Sequence, residues 1–291
     1  MKYILVTGAN GQLGKKIRDL TIDNKELKFI FCDIEEFDIT KVEEVNKFFE
    51  GTSIDLVINC AAFTAVDLAE SEQEAAYSVN SYAPGLLAKA TNIQKAKIIH
   101  ISTDYVFDGT KNTPYSEKDK TNPTSVYGKT KLEGEQNTIK ENPDAIIIRT
   151  SWLYSEYGKN FTKTIIELGK KKDFLKVVYD QVGTPTYAGD LAEAVLSIVY
   201  KYFNENFWIP GIYHFSNQGV CSWYDFAVKI LNSCNINIDI FPVLSNEFPT
   251  VAIRPKYSVL NKEKIIKNYG INIPHWVKSC EKMLLTYKDF A

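Results

Sequence analysis

The chain has 291 residues, 45% of them apolar, and a formal net charge of −2. That length suits one large domain or two unequal ones with a sizeable core, and the balanced charge, with no long basic run, predicts no nucleic-acid partner. Five cysteines without a Cys-x-x-Cys pair fit reduced, buried thiols, and three scattered histidines make no zinc-ligand spacing, so no metal site is predicted. No apolar run approaches the ~20 residues of a membrane span. The amino terminus reads as a strand, not a signal peptide, which predicts a cytoplasmic protein.

Residues 2–7 (Lys-Tyr-Ile-Leu-Val-Thr) read as a short buried strand. Gly8-Ala9-Asn10-Gly11-Gln12-Leu13-Gly14 follows, and residues 12–20 read as a helix. Three glycines at this spacing allow a tight turn, close approach of backbone to a pyrophosphate and close helix–strand packing. The helix amino end offers free N–H groups and the positive end of its dipole to phosphates. Residues 27–32 read as the next strand, closed by Asp33, which stands 19 residues beyond Gly14. A carboxylate there can hold a ribose 2′-hydroxyl and would repel a 2′-phosphate, so NAD(H) is favoured and NADP(H) remains allowed. The same Asp33 also reads as an ordinary strand-end turn residue. Lys15 and Lys16, just past the glycines, could offset the repulsion.

Residues 55–60 and 97–102 are further apolar strands, and 73–92 carry helical periodicity. Pro123 opens a long helix expected to run through Lys140, and residues 145–150 form another strand. Alternating strands and helices predict an α/β fold, a doubly wound, Rossmann-like parallel sheet. Ligands bind such sheets at the carboxyl ends of the strands, where Gly8, Asp33, Ala61, Thr103 and Ser151 all fall. Beyond about residue 151 the pattern loosens. Residues 160–170 and 190–202 read as helices, and later segments are rich in aromatics and prolines. We therefore divide the chain into a dinucleotide-binding domain over 1–150 and a smaller, mainly substrate-binding domain over 151–291, some of whose segments return to the main sheet.

Tyr127 and Lys131 carry the chemistry. Four residues apart on one helix, they leave the same face. An ammonium beside a phenol favours the phenolate, which would bring the tyrosine pKa down from about 10 toward neutrality. Thr103, at a strand end 24 residues earlier, supplies a hydroxyl able to reach the same carbonyl oxygen. Together these three residues make a proton-donating site.

At these motifs the chain resembles the extended short-chain dehydrogenase/reductase family, and within it the dTDP-4-dehydrorhamnose reductase group. The likeness runs nearly end to end: Gly-Ala-Asn-Gly-Gln-Leu-Gly (8–14), Asn-Cys-Ala-Ala-Phe-Thr-Ala-Val-Asp (59–67), Ser-Thr-Asp-Tyr-Val-Phe (102–107), Val-Tyr-Gly-Lys-Thr-Lys (126–131), Arg-Thr-Ser-Trp (149–152), Asp-Gln-Val-Gly-Thr-Pro-Thr (180–186), and Arg-Pro (254–255) with Ser258 and Leu260-Asn261. The resemblance implies reduction of the C4 ketone of dTDP-4-dehydro-L-rhamnose to dTDP-L-rhamnose. It implies Tyr127 as the general acid, Lys131 as the residue that tunes it and holds the nicotinamide ribose, and Thr103 as the hydroxyl that orients the ketone. Cofactor contacts are implied for Gly8, Asn10, Gly11, Gln12, Leu13, Gly14, Asp33, Asp38, Ile39, Ala61, Ala62 and Thr64, besides Tyr127 and Lys131. Val66, Asp104, Tyr105 and Trp152 are implied as the sugar-side wall, and Arg254 as a clamp on the substrate diphosphate. A homodimer is allowed. The acidic residue through which some members bridge a dimer by magnesium is replaced here by Lys15-Lys16. Cys60, where alanine is common, reads as a small buried hydrophobe. Two other readings stay open: a sugar-nucleotide epimerase or dehydratase of the same superfamily, and a non-catalytic, dinucleotide-binding regulatory subunit of a methionine adenosyltransferase.

Overall fold

The computed structural model describes residues 1–24 and 26–287. In chain order the elements are β1 (Lys2–Thr7), α1 (Gln12–Thr21), β2 (Leu27–Cys32), α2 (Val42–Gly51), β3 (Leu56–Asn59), α3 (Val66–Ala69), α4 (Gln73–Tyr77), α5 (Ala83–Ile93), β4 (Lys97–Thr103), α6 (Val126–Glu141) and β5 (Ile146–Thr150). The second half continues with β6 (Leu153–Tyr154), α7 (Phe161–Gly169), β7 (Phe174–Val178), β8 (Val182–Gly183), β9 (Thr186–Tyr187), α8 (Ala188–Glu205), β10 (Gly211–His214), β11 (Cys221–Ser222), α9 (Trp223–Ser233), β12 (Asp239–Val243), α10 (Glu263–Tyr269) and α11 (Trp276–Thr286).

Six strands form one sheet in the order β10-β5-β4-β3-β1-β2, every neighbouring pair parallel. The chain steps from β1 outward to β2, then returns to the other side of β1 to place β3. That reversal opens a crevice at the carboxyl ends of β1 and β3. Side chains alternate along the strands: Ile4 and Val6 join the core that holds α1, α8 and α10, while Leu5 joins the one that holds α2 and α5. Both faces are covered, which is why the strands read as continuous apolar runs. A third core gathers side chains from β6, α7, β7, β9, α9 and α11, with Phe226, Ile230, Cys280 and Met283 at its centre.

The structure departs from the sequence expectations in three places. The helix carrying Tyr127 begins at Val126, not Pro123, because Ser125 caps it: the Ser125 hydroxyl accepts from the Gly128 N–H at 3.1 Å. The helix expected over 73–92 is interrupted by a π turn at Ser78–Tyr82 between α4 and α5. Pro84 has no N–H to return to the Asn80 carbonyl, so the turn widens there. The widened backbone lets α6 come close. A Cβ on Gly134 would lie 1.9 Å from the Asn80 oxygen. Some segments of the aromatic and proline-rich stretch were expected to return to the main sheet, but no strand was placed among them; the sixth strand, β10, falls there and pairs with β5 at the sheet edge.

Candidate active site

The glycine turn closes the carboxyl end of β1. Gly8 has φ +63°, and a Cβ on it would meet the Ala61 nitrogen at 2.6 Å. A Cβ on Gly14 would lie 2.5 Å from the Gly8 oxygen. Any side chain at either position would force β1, β3 and α1 apart. Gly11 stands at the α1 N-cap and makes no side-chain cap, so no side chain competes for the first-turn N–H groups. The Asp33 carboxylate at the end of β2 accepts from the Asn10 N–H at 2.7 Å and from the Ile34 N–H at 2.9 Å. It thereby shapes the turn as well as lining the crevice.

A cavity of about 840 Å³ runs across the strand ends. Gly8, Asn10, Gly11, Gln12, Leu13, Gly14, Asp33, Asp38 and Ile39 line it, with Ala61, Ala62, Thr64 and Val66. Thr103, Asp104, Tyr105, Tyr127, Lys131 and Trp152 complete the wall. Arg254 alone among the predicted site residues does not line it. Its guanidinium pairs instead with Asp67, Nη2 to Oδ2 at 2.9 Å. Trp152 combines a wall position with packing. It has φ +47° and stacks on Trp223 with ring centroids 3.5 Å apart. Lys15 and Lys16 do not face Asp33. Lys16 pairs with Glu156 at 2.7 Å, and the Lys15 ammonium lies over the Tyr157 ring.

Tyr127, Thr103 and Lys131 converge in this cavity, but their electrostatics differ from the sequence expectation. Burial pushes the Tyr127 phenol up to about 12; the neighbouring Thr103 hydroxyl works against this and the Asp104 charge adds to it. The Lys131 ammonium does not reverse the shift. It is itself buried, held down to about 8 by desolvation against the favourable charge of Glu135, and it donates to the Ile101 carbonyl at 2.7 Å. Asp104 is 2% exposed, and burial raises its carboxyl to about 6 even though the nearby Ser258 and Thr103 hydroxyls oppose the shift. The Thr103 hydroxyl donates to Asp104 Oδ1 at 3.0 Å. Asp104 Oδ2 is a buried atom without a protein partner. Tyr105 packs edge-on to Tyr127 with centroids 5.4 Å apart.

Several supporting residues escaped the sequence reading. Asn80, fully buried in the π turn, accepts from the Phe63 N–H at 2.8 Å and donates to the Phe63 carbonyl at 3.0 Å. It thus fixes the Ala61–Thr64 wall and reaches Thr130, between Tyr127 and Lys131, at 3.3 Å. Pro84, four residues on within a helical pattern, was the available signal. One turn beyond Lys131, Glu135 receives Arg149 from β5 in a two-pronged pair at 2.9 and 2.6 Å and the Ser102 hydroxyl from β4 at 2.5 Å. This buried cluster ties α6 to the two strands that end at the site. The Gln12 carboxamide accepts from Ser155 and Asn160, both at 3.0 Å, fastening the loop after β6 over the glycine turn. Cys60, expected as a buried hydrophobe, packs against the core but is only half-buried and lines the cavity, its thiol raised to about 12 by desolvation. Among the described residues no group of three or more His, Cys, Asp or Glu could hold a metal ion, and no helix is long and apolar enough to cross a membrane.

A glycine-turn parallel sheet with Thr103 at the end of β4 and Tyr127 and Lys131 on α6 beside it defines a dinucleotide-linked oxidoreductase class. Comparison with known proteins narrows it. The RmlD substrate binding domain family model matches residues 1–288. A dTDP-4-dehydrorhamnose reductase of Aggregatibacter actinomycetemcomitans is 40% identical over 290 residues, covering 97% of this chain and 98% of its own. A solved dTDP-4-dehydrorhamnose reductase from Clostridium acetobutylicum superposes with a TM-score of 0.92 at 45% identity, covering 98% and 99% of the two chains. One from Bacillus anthracis, in complex with NADP, gives a TM-score of 0.93 at 37% identity over 98% and 100%. The chain belongs to the RmlD substrate binding domain family, alongside the dTDP-4-dehydrorhamnose reductases.

Proposed function

We propose that this chain reduces the C4 ketone of dTDP-4-dehydro-L-rhamnose to dTDP-L-rhamnose, as a reductase dependent on NADP(H) or NAD(H). The observation that carries the reading is the convergence of Thr103, Tyr127 and Lys131 in the same cavity as the uncapped glycine turn. A dinucleotide fits the residues present. The turn is free of side chains where Gly8, Gly11 and Gly14 pack, and the α1 amino end has no capping side chain of its own. Residues 11–14 would hold the pyrophosphate and Asp33 the adenosine ribose, with Asp38 and Ile39 beyond it. Ala61, Ala62 and Thr64 would line the nicotinamide half, and Lys131 would hold its ribose. When bound, the cofactor supplies the hydride that reaches C4.

Negative charge then grows on the C4 oxygen, and Tyr127 gives up its hydroxyl proton to it. A phenol held near 12 stays protonated until that charge appears, so the donor is in its working form throughout the neutral range. The buried Lys131 ammonium stabilises the phenolate left behind. The single Thr103 hydroxyl proton, donated to Asp104 in the free chain, turns to the same C4 oxygen when the ketone arrives, with Asp104 holding the hydroxyl in place until then. Val66, Asp104, Tyr105 and Trp152 form the sugar side, and Arg254 meets the diphosphate. In this reading 1–150 carries the cofactor and 151–291 mainly the sugar nucleotide, with β10 and α8 returning to the sheet. The protein works in the cytoplasm on small molecules, without nucleic acid or membrane, and a homodimer is compatible with it.

The test is to supply enzymatically made dTDP-4-keto sugar with NADPH or NADH and follow the reduced-cofactor absorbance. Wild type should turn over. Tyr127→Phe should lose roughly 10²–10⁴ in kcat with cofactor affinity nearly unchanged. Near-full activity of Tyr127→Phe would show that the proton comes from elsewhere.

A further inference from the structure

Asp67 follows the wall residue Val66 in α3, and its carboxylate makes two long-range contacts. Oδ2 pairs with Arg254 at 2.9 Å, and Oδ1 accepts from the Ala252 N–H at 3.0 Å. Ala252 is 2% exposed, while its neighbours Val251 and Ile253 are 74% and 67% exposed. The segment is therefore pinned at its middle residue. At the other end of α3, the Glu70 carboxylate accepts from the Val126 N–H at 2.8 Å, in the first turn of the helix that bears Tyr127. So α3 links the 252–254 segment to the Tyr127 helix through two carboxylates.

The pair is poorly suited to a purely structural role. Its side chains are 31% and 41% exposed, and an ion pair so placed adds little to folding stability. Yet Arg254 Nε is a buried donor without a protein acceptor. A guanidinium carries five N–H donors in a rigid fork, and Asp67 engages only the Nη2 end. The remaining donors are held in place for an acceptor from outside the chain. Tyr105, whose phenol is raised chiefly by burial, also feels the charges of both Arg254 and Asp67, which places the pair beside the sugar-side wall.

We propose that Asp67 is a positioning residue for the nucleoside-diphosphate half of the substrate: it holds Arg254 and the 252–254 segment in the binding arrangement before the ligand arrives. This rests on the reading above that the substrate is a dTDP-sugar, and it adds the residue that readies the clamp. A cation already fixed loses less freedom when the diphosphate binds. The advantage is made in ground state and transition state alike, so it falls on KM more than on kcat.

The experiment is calorimetric titration with dTDP, which needs no turnover, on wild type, Asp67→Ala, Arg254→Ala and the double variant, alongside keto-sugar kinetics and cofactor titration. Asp67→Ala should weaken dTDP about tenfold, and the double variant should bind no more weakly than Arg254→Ala, the non-additivity of two residues acting as one. Asp67→Asn keeps an acceptor for Ala252 and loses the charge, so it should fall between wild type and Asp67→Ala. Cofactor affinity should stay at the wild-type value in all of them. Additive losses, unchanged dTDP affinity in Asp67→Ala, or an equal loss of cofactor affinity would overturn the proposal. A wild type that binds dTDP but leaves the keto sugar unreduced would instead refute the reaction assigned above, while the cycle still decides the role of Asp67.

Discussion

Replacing Asp104 by Asn should make the protein more stable and less active, and the stability gain should depend on pH. Asp104 is 2% exposed, and its carboxyl is raised from 3.8 to about 6 mainly by burial. A carboxyl raised on folding keeps its proton in the native state while the unfolded chain has already lost it. Between about 4 and 6 the native state therefore binds more protons, and stability falls as pH rises through that window. Above 6 the charged form is buried at full cost. A shift of about two units at 1.36 kcal/mol each puts that cost on the order of 1–3 kcal/mol. Asparagine has the same shape and keeps an acceptor for the Thr103 hydroxyl, but carries no charge to desolvate. Urea unfolding of wild type and Asp104→Asn should differ by roughly 1–3 kcal/mol in favour of the variant at pH 7.5, and the gap should close near pH 4. A difference that stays constant from pH 4 to 8, or a variant less stable than wild type at pH 7.5, would refute the electrostatic account. The variant should also lose kcat/KM for the keto sugar, because the unpartnered Oδ2 is an acceptor the site keeps at the expense of stability.

Two further outcomes follow from other parts of the site. Asp33→Ala should weaken NADH about tenfold more than NADPH in a fluorescence titration, since a hydrogen bond to a charged group is worth roughly 1.5–3 kcal/mol and only NADH keeps the 2′-hydroxyl that makes it; equal weakening would leave Asp33 with only its turn role. Glu135→Ala would strand the buried Arg149 guanidinium, whose Nη1 already lacks a partner. Breaking a buried pair in this way costs about 3–5 kcal/mol, readable as a lowered urea midpoint, and a loss under about 1 kcal/mol would show that water reaches the cluster.

The sheet was legible because each central strand is buried on both faces and so spells an uninterrupted apolar run between turn residues. The glycine turn and the Tyr127–Lys131 pair were legible because their spacing is local. What stayed hidden depends on contacts between distant segments. Asn80 is an ordinary residue in sequence and acquires its role only where Pro84 opens the turn and α6 approaches. Arg254 was read as a diphosphate clamp without its Asp67 partner, because nothing local connects it to Asp67, 187 positions away. The tyrosine pKa was misjudged for a similar reason. Spacing put an ammonium one turn from the phenol, but it could not report that the phenol would be half-buried and the ammonium fully so, nor that the ammonium would be directed to the Ile101 carbonyl.

The indole of Trp152 lies flat against Trp223, interplanar angle 9°, at the end of the strand that closes the cavity. Parallel rings in contact absorb and emit as a coupled pair, and the coupling depends steeply on their separation and tilt. The wall of the cavity is thus built in part from the protein's own chromophore. Near-ultraviolet dichroism and intrinsic fluorescence would register any slip of one ring over the other, giving an optical record of how the pocket settles around a ligand with no label attached.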